Sequence, residues 1–540
     1  MRAFAELLER LVYTPQRNGK IRLLTEYFGT TPDPDRGLAV AAVTRDLEIA
    51  SAKPAMLREL IAERLDPVLF EYSYDYVGDL AETISLAWPS KPGANRTPAL
   101  HEVVEALNEA DKTAARKLIE GWLDGMDASE RWALLKLITG GLRIGVSARL
   151  AKTALAAYGD VNVSEIEEIW HGLDSPYANL FAWLEGVGEK PSSNKPGLFR
   201  PVMLAHPVDE ETPPDFSPDT HAAEWKWDGV RVQAVSENGV RRLYSRTGDD
   251  IAAAFPDILA AMDFDAVIDG ELLIFHPERQ TDGETFPVRP FSDLQKRLNR
   301  KTVSKKLLAS NPAFIRAYDL LSHDGEDLRA EPFADRRLRL EALFASRKFD
   351  RFDLSPLVAF ETAGDLATLR AAPPDDAIEG VMIKRLAAPY VPGRPTGEWW
   401  KWKRDPFLVD AVLMYAQRGH GKRSSFYSDF TFGVWTDDGG LAPVGKAYFG
   451  FSDEELKELD RFVRNHTKDR FGPVRQVQAD REVGLVLEIA FEGLNRSPRH
   501  KSGVAMRFPR IHRIRWDKPS AEADTLATLK DMLPSDGGVS

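Results

Sequence analysis

Residues 224–231 read Glu224-Trp225-Lys226-Trp227-Asp228-Gly229-Val230-Arg231, a lysine between two tryptophans beside a period-two strand pattern. Lysines usually decorate surfaces. Flanking indoles predict partial desolvation, which lowers an amine pKa toward that of a usable nucleophile. The bland alternative is an edge-strand lysine whose stem lies over aromatic rings. The octet alone does not separate the two readings.

Further pieces follow in order. Val230, Val232 and Ala234 point one way, Glu237-Asn238-Gly239 offers a tight turn, and Val240 to Ser245 returns. Ser245-Arg246-Thr247-Gly248 places an arginine at the hairpin's end. Strands are predicted over 266–275, 313–321 and 377–386. They carry Asp269-Gly270-Glu271-Leu272, Arg316-Ala317-Tyr318-Asp319 and Glu379-Gly380-Val381-Met382-Ile383-Lys384, and Trp399-Trp400-Lys401-Trp402-Lys403 comes after them. Helices fit 249–262, 291–299 and 333–346, so this zone reads as α+β. Together the pieces make a toolkit for nucleotidyl transfer. A lysine attacks an α-phosphate, and an aromatic face with apolar side chains sandwiches a base. Carboxylates hold ribose and a divalent metal, and two further lysines neutralise phosphate.

Upstream, residues 1 to about 190 carry helical periodicity, with Phe4, Leu7, Leu8 and Leu11 on one face and Leu118, Trp122 and Leu123 on another. Helices are predicted around 36–49, 54–65, 101–123 and 129–139, with almost no strand signal. The stretch 186–201, GVGEKPSSNKPGLFRP, reads as a linker. Downstream of about 405, strands are predicted near 407–416, 428–436 and 440–447, then a helix, then strands near 484–492 and 504–515. That helix has a capping box, Ser452 with Glu455, and an apolar stripe at Leu456, Leu459, Phe462 and Val463. Three strands, a helix and two strands is the order of an OB-fold β-barrel. The predicted division is 1–190 all-α, 200–404 α+β and 405–530 OB-fold. The final PSDGGVS (534–540) reads as a frayed tail.

The 540 residues are too many for one core and fit several domains. Seventy-one basic against 83 acidic side chains give a net charge of −12, which excludes a uniformly basic nucleic-acid coat but not local basic patches. With no cysteine, disulfides, Cys-ligated zinc, iron–sulfur clusters and thiol nucleophiles are excluded. Met1 to Thr14 offers no secretory core, and no run of eighteen apolar residues occurs; a soluble, cytoplasmic protein is expected.

The ordered set EWKWDGVR, SRTG, DGEL, AYDLL, EGVMIK and WWKWK resembles motifs I, Ia, III, IIIa, IV and V of the covalent nucleotidyltransferases, and most closely the ATP-dependent DNA ligases. Arg507-Phe508-Pro509-Arg510, followed by Arg515-Trp516-Asp517-Lys518, resembles motif VI at the end of the ligase OB domain. Gly140-Gly141-Leu142-Arg143-Ile144-Gly145-Val146 resembles a segment of the helical DNA-binding domain of the larger ligases, whose backbone amides suit a DNA phosphate.

The resemblance implies ATP as adenylate donor, Mg²⁺ or Mn²⁺ as metal, and nicked duplex DNA as partner, with a monomer acting in repair, replication or recombination. Lys226 is the implied nucleophile. Glu224 lies near the adenine, which Tyr318 stacks against opposite Met382 or Val381. Arg231 and Glu271 reach the ribose. Glu379 places the metal, and Asp228 assists through the lysine or the metal. Lys401 and Lys403 grip the α-phosphate, Arg246 the 5′-phosphate of the nick, and Arg143 duplex DNA. Arg510, Asp517 and Lys518 act on pyrophosphate. An RNA ligase or capping guanylyltransferase shares the lysine motif but not the helical zone or RFPR. A catalytically dead end-binding scaffold would not need Lys226, Glu379, Lys401 and Lys403.

Overall fold

The computed structural model describes residues 1–89, 96–192, 195–276, 285–419 and 426–533, so the predicted tail at 534–540 and two residues of the linker lie outside the described residues. Among those described, residues 2–184 form α-helices and one short 3-10 turn, without a strand. The first helix, Arg2–Tyr13, buries Phe4, Leu7, Leu8 and Leu11, the stripe that its sequence spacing dictates. Each such fully buried leucine contributes roughly 1.5–3 kcal/mol. The expected helix over 101–123 is two, Leu100–Glu109 and Lys112–Gly125. Asp111 makes the break, because its carboxylate accepts from the Ala114 N–H at 2.8 Å and caps a new start. The helix predicted over 36–49 stops at Thr44, where Arg45 turns left-handed at φ 70°.

The central part holds two antiparallel-dominated sheets. In the first, strand Ile378–Arg385 lies between His221–Trp227 and Trp399–Lys403. Its register sets Met382 beside Glu224 and Lys401, and Gly380 beside Lys226 and Lys403. In the second, strand Ala266–Ile274 lies between Val230–Glu237 and Ala313–His323, with Glu271 beside Arg231 and Arg316. Asp228 and Gly229 join the two sheets. Gly229 has to be glycine: a Cβ there would sit 2.6 Å from the Leu272 carbonyl oxygen and 2.8 Å from Glu271 Cγ. The helix predicted over 249–262 shrinks to a 3-10 turn, Ala252–Ala254, and Pro256–Ala261, because Pro256 can only begin a helix.

The C-terminal part has the expected order: strands Phe407–Arg418, Tyr427–Trp435 and Leu441–Ala447, then helix Asp453–Asn465, then further strands. Strand Phe407–Arg418 pairs with Val486–Phe491 along its first half and with Val474–Val477 along its second, curling the sheet around Val409, Phe432, Leu459, Leu487 and Ile489. The hairpin Thr467–Phe471 with Val474–Val477 was not predicted. The single strand predicted over 504–515 is two, Val504–Arg507 and Arg510–Arg515. Phe508 stands at φ 52° and Pro509 lacks an N–H, so the ladder cannot continue between them. Val504–Arg507 pairs with Gly493–Arg496, whereas Arg510–Arg515 pairs with Val486–Phe491.

Two contacts seat the helical part on the central one. Arg329 donates to both Glu168 oxygens, at 2.7 and 2.8 Å. His171 stands edge-on to Phe199, with ring centroids 4.8 Å apart.

Candidate active site

A cleft of about 840 Å³ opens between the two central sheets. Lys226 lines it, and so do Trp225 and Trp227 on either side. Strand side chains alternate, so the neighbouring tryptophans do not sandwich the lysine. Trp225 packs with Val381, Ile383 and Trp402, and Trp227 lies beneath the Arg316 guanidinium, 4.1 Å from its ring centre. Lys226 Nζ instead donates to Glu379 Oε1. Lys403 Nζ lies 3.2 Å from Glu379 Oε2 and 3.3 Å from Glu492 of the C-terminal part. Burial alone would raise the Glu379 carboxyl; the Lys226 and Lys403 ammonium groups outweigh it and leave the pKa below its ordinary value. Lys401, one pleat away, is lowered by burial and then by Arg394, Lys226 and Lys403.

The backbone makes this crowding possible. Gly380 sits at φ 145°, and a Cβ on it would lie 2.1 Å from the Trp402 carbonyl oxygen. Only glycine lets Lys226 and Lys403 share a row with the strand between them this close.

The opposite wall is built on buried ion pairs. Glu224, 2% exposed, meets Lys384 Nζ at 2.5 Å and Arg337 at 3.2 Å. Arg231 forks onto Asp269 at 2.6 and 3.1 Å and donates to the Met203 carbonyl at 2.6 Å. Tyr390 donates to Asp269 at 2.6 Å and Tyr318 does so at 3.3 Å. These bonds fix the Tyr318 ring, which lines the cleft with Lys384 Nζ 4.5 Å from its centre. Met382 also lines the cleft, whereas Val381 is fully buried in the core behind the sheet, so of the two only Met382 faces the cleft. Burial pushes the Glu271 carboxyl up to about 8, with the Lys226 charge opposing.

Arg507 of the C-terminal part donates to Asp228 Oδ2, and neither residue is in the cleft lining. Burial raises the Asp228 pKa and Arg507 opposes it. Asp228 Oδ1 is buried and has no hydrogen-bond partner among the described residues. Among the described residues no three acidic or imidazole side chains converge as a metal site. Two carboxylates, Glu379 and Asp228, are nonetheless what a magnesium ion needs when phosphate oxygens and water complete its shell, and the orphaned Oδ1 suits that role.

Other expected site residues lie elsewhere. Arg246 lines the cleft from the hairpin's end. Arg143 is exposed on the turn before the helix Ala148–Gly159, outside the cleft lining. Arg510 pairs with Glu492 at 3.0 Å, Lys518 with Asp410 at 2.7 Å, and Asp517 with Arg515 at 2.9 Å; none of the three lines the cleft. The motif contact that reaches the central part here is Arg507, because the break at Phe508–Pro509 turns the two arginines of RFPR toward different neighbours. Sequence reasoning also gave no role to Lys384, although it closes the EGVMIK motif.

A lysine facing a cleft lined also by Tyr318, Lys384 and Lys401, on paired antiparallel sheets with a strand-rich domain behind, is the arrangement of a nucleotidyltransferase. The chain matches the family models for the DNA ligase N terminus over residues 1–156, the ATP dependent DNA ligase domain over 202–403 and the ATP dependent DNA ligase C terminal region over 423–518. It is 31% identical to a probable DNA ligase of Koribacter versatilis, covering 99% of this chain and 97% of that one. It is 27% identical to DNA ligase 1 of Korarchaeum cryptofilum, covering 98% of each. A solved structure titled "Pmar-Lig_Pre." shares the fold with a TM-score of 0.60 at 17% identity, covering 95% of this chain and 99% of that one. The chain belongs to the ATP-dependent DNA ligase family, whose activity is the sealing of nicks in DNA. Among the described residues, no helix is long and apolar enough to cross a membrane.

Proposed function

We propose that the protein seals nicked duplex DNA in three steps through Lys226, as a cytoplasmic monomer with a helical DNA-binding domain at 1–190, an adenylation domain at 200–404 and an OB domain at 405–530. The observation that carries this reading is the cluster around Lys226 Nζ: its carboxylate partner Glu379, with Lys403 sharing that carboxylate and Lys401 beside it on the same strand.

In the first step Lys226 Nζ gives up a proton to solvent and attacks the α-phosphorus of ATP. The N–P bond forms as the bond to the β-phosphate oxygen breaks and pyrophosphate leaves. Glu379, already hydrogen-bonded to Nζ, orients the amine. Tyr318 and Met382 hold the adenine, with Glu224 near its edge, and Arg231 and Glu271 reach the ribose. Lys401 and Lys403 stabilise charge gathering on the α-phosphate oxygens. Glu379 and Asp228 would hold Mg²⁺ (or Mn²⁺), which supplies Lewis-acid neutralisation of phosphate charge. In the second step an oxygen of the nick's 5′-phosphate, held by Arg246, displaces Nζ from the adenylate. In the third the 3′-hydroxyl attacks that 5′-phosphorus and AMP departs. Arg143 and its turn would grip duplex phosphates, and Arg510, Asp517 and Lys518 would meet pyrophosphate in a second OB-domain position.

The test is incubation with ATP labelled in the adenylate, followed by nicked duplex. Label must attach to the wild-type chain, be absent from Lys226→Ala, and pass to DNA. Labelling of the Lys226→Ala protein would sink the reading.

A further inference from the structure

The catalytic cleft has a wall made by the helical domain. Ala148, Arg149 and Lys152, from the first turns of the helix Ala148–Gly159, line it together with Glu167 and His171. Arg149 and Lys152 are three apart and share a helix face. Ser147 caps that helix, its hydroxyl accepting from the Leu150 N–H at 3.2 Å, so the positive end of the helix dipole adds to their charge.

The contacts join these two cations to others in the cleft. Arg149 reaches the loop before Lys401: its Nη2 stands 2.5 Å from where a Cβ on Gly393 would lie, and the next residue, Arg394, lines the cleft. The Arg394 charge in turn lowers the Lys401 pKa, after burial. On the other side, His171 Cε1 lies 2.4 Å from the Cβ position of Gly248, in the turn that carries Arg246. Burial and then the Lys152 charge depress the His171 pKa to about 4, so the imidazole is neutral and serves as packing. A run of positive charge therefore leads from Lys152 and Arg149 through Arg394 to Lys401, with Arg246 beside it.

Glu167 and Asp46 offset that run in part, the first beside Arg149 and both acting on Lys152. Lys152 lies 4.6 Å from the Trp170 ring centre and has no ion pair or hydrogen bond among the described residues. Burial is the main cause that lowers its pKa to about 8. The Arg149 side chain is 53% exposed, and Glu167, at 3.5 Å, is its one carboxylate neighbour within ion-pair distance among the described residues. At about 840 Å³ the cleft is at the large end of ligand pockets, which run ~300–1,000 Å³.

We propose that Arg149 and Lys152 of the helical domain, with Arg246 and Arg394, form a phosphate subsite of the catalytic cleft. The helical domain then holds the reacting polyanion as well as the duplex. This rests on the reading of the cleft as the adenylation site. The ligand is a phosphate group, and it has two sources: the triphosphate of ATP or the 5′-phosphate of the nick.

The experiment uses the full chain with Arg149→Ala, Arg149→Lys and Lys152→Met, the last putting an uncharged side chain of similar length in place of the ammonium over Trp170. One arm measures KM and kcat for AMP attachment from ATP without DNA. The other measures binding of nicks bearing a 5′-phosphate against nicks bearing a 5′-hydroxyl. Losing a charge-assisted hydrogen bond predicts about a tenfold loss. It should fall on KM for ATP if the triphosphate occupies the subsite, or on the preference for the 5′-phosphate if the nick does. Arg149→Lys should restore most of it, with kcat for AMP attachment and melting temperature little changed. Unchanged KM and unchanged 5′-phosphate preference in Arg149→Ala and Lys152→Met proteins that melt like the wild type would overturn the subsite. Failure of the wild-type chain to take AMP from ATP would instead overturn the function proposed above.

Discussion

The Arg507 guanidinium is hydrogen-bonded to the Asp228 carboxylate, so the C-terminal domain touches the chain two residues after Lys226. Burial raises the Asp228 pKa and Arg507 holds it down. Removing the guanidinium with Arg507→Ala therefore lets the carboxyl protonate at higher pH. The acid limb of the pH–rate profile for nick sealing should move upward, and Arg507→Lys should leave it closer to the wild type. An acid limb that stays in place would show that Asp228 does not act as an ionised group.

Arg510 and Lys518 are engaged with Glu492 and Asp410, away from the cleft. If they serve pyrophosphate departure, the OB domain has to swing for the ATP step, about a hinge near Asp405 and Pro406. Arg510→Ala or Lys518→Ala should then slow AMP attachment by ~10²-fold, the scale of one lost transition-state donor. Sealing of a nick already carrying AMP should fall much less. Equal losses in both reactions would leave the two-position account without support.

Lys226→Arg should be as inactive in AMP attachment as Lys226→Ala, because a guanidinium stays protonated and has no free lone pair to attack with. Mass spectrometry after incubation with ATP reads this directly as the presence or absence of one adenylate.

Glu271 makes stability depend on pH. Its carboxyl is raised to about 8 in the folded chain, chiefly by burial, against about 4.3 when unfolded. The folded state keeps a proton that the unfolded state gives up, so this contribution is complete below the unfolded value and is lost as pH rises through the folded one. Glu271→Gln stays neutral throughout. Across roughly pH 6 to 9 the wild-type melting temperature should drop more than that of the variant. Parallel curves would mean that Glu271 is ionised in the folded chain.

Local signals were legible. Helix Phe333–Ser346 matches its expected span, with Pro332 able only to precede it, and the Ser452–Glu455 box marks the start of Asp453–Asn465 as read. The motif strands could be read because alternation decides which side chains share a face; the same rule, applied to Trp225 and Trp227, argues against their enclosing Lys226. Other features depend on tertiary contact. That Arg507, not Arg510, contacts Asp228 turns on one left-handed residue, Phe508, which a bulky aromatic does not advertise. The Arg149 wall depends on helix and loop meeting from opposite ends of the fold, and no periodicity records that.

The break at Phe508–Pro509 has a practical side. It divides one basic ribbon into two circuits that reach the central domain by different routes: Arg507 directly through Asp228, and Arg510 through Glu492, which also meets Lys403. Charge-swapping Arg507 with Asp228 would retune how firmly the domains dock, while the Arg510–Glu492 contact stays as it is.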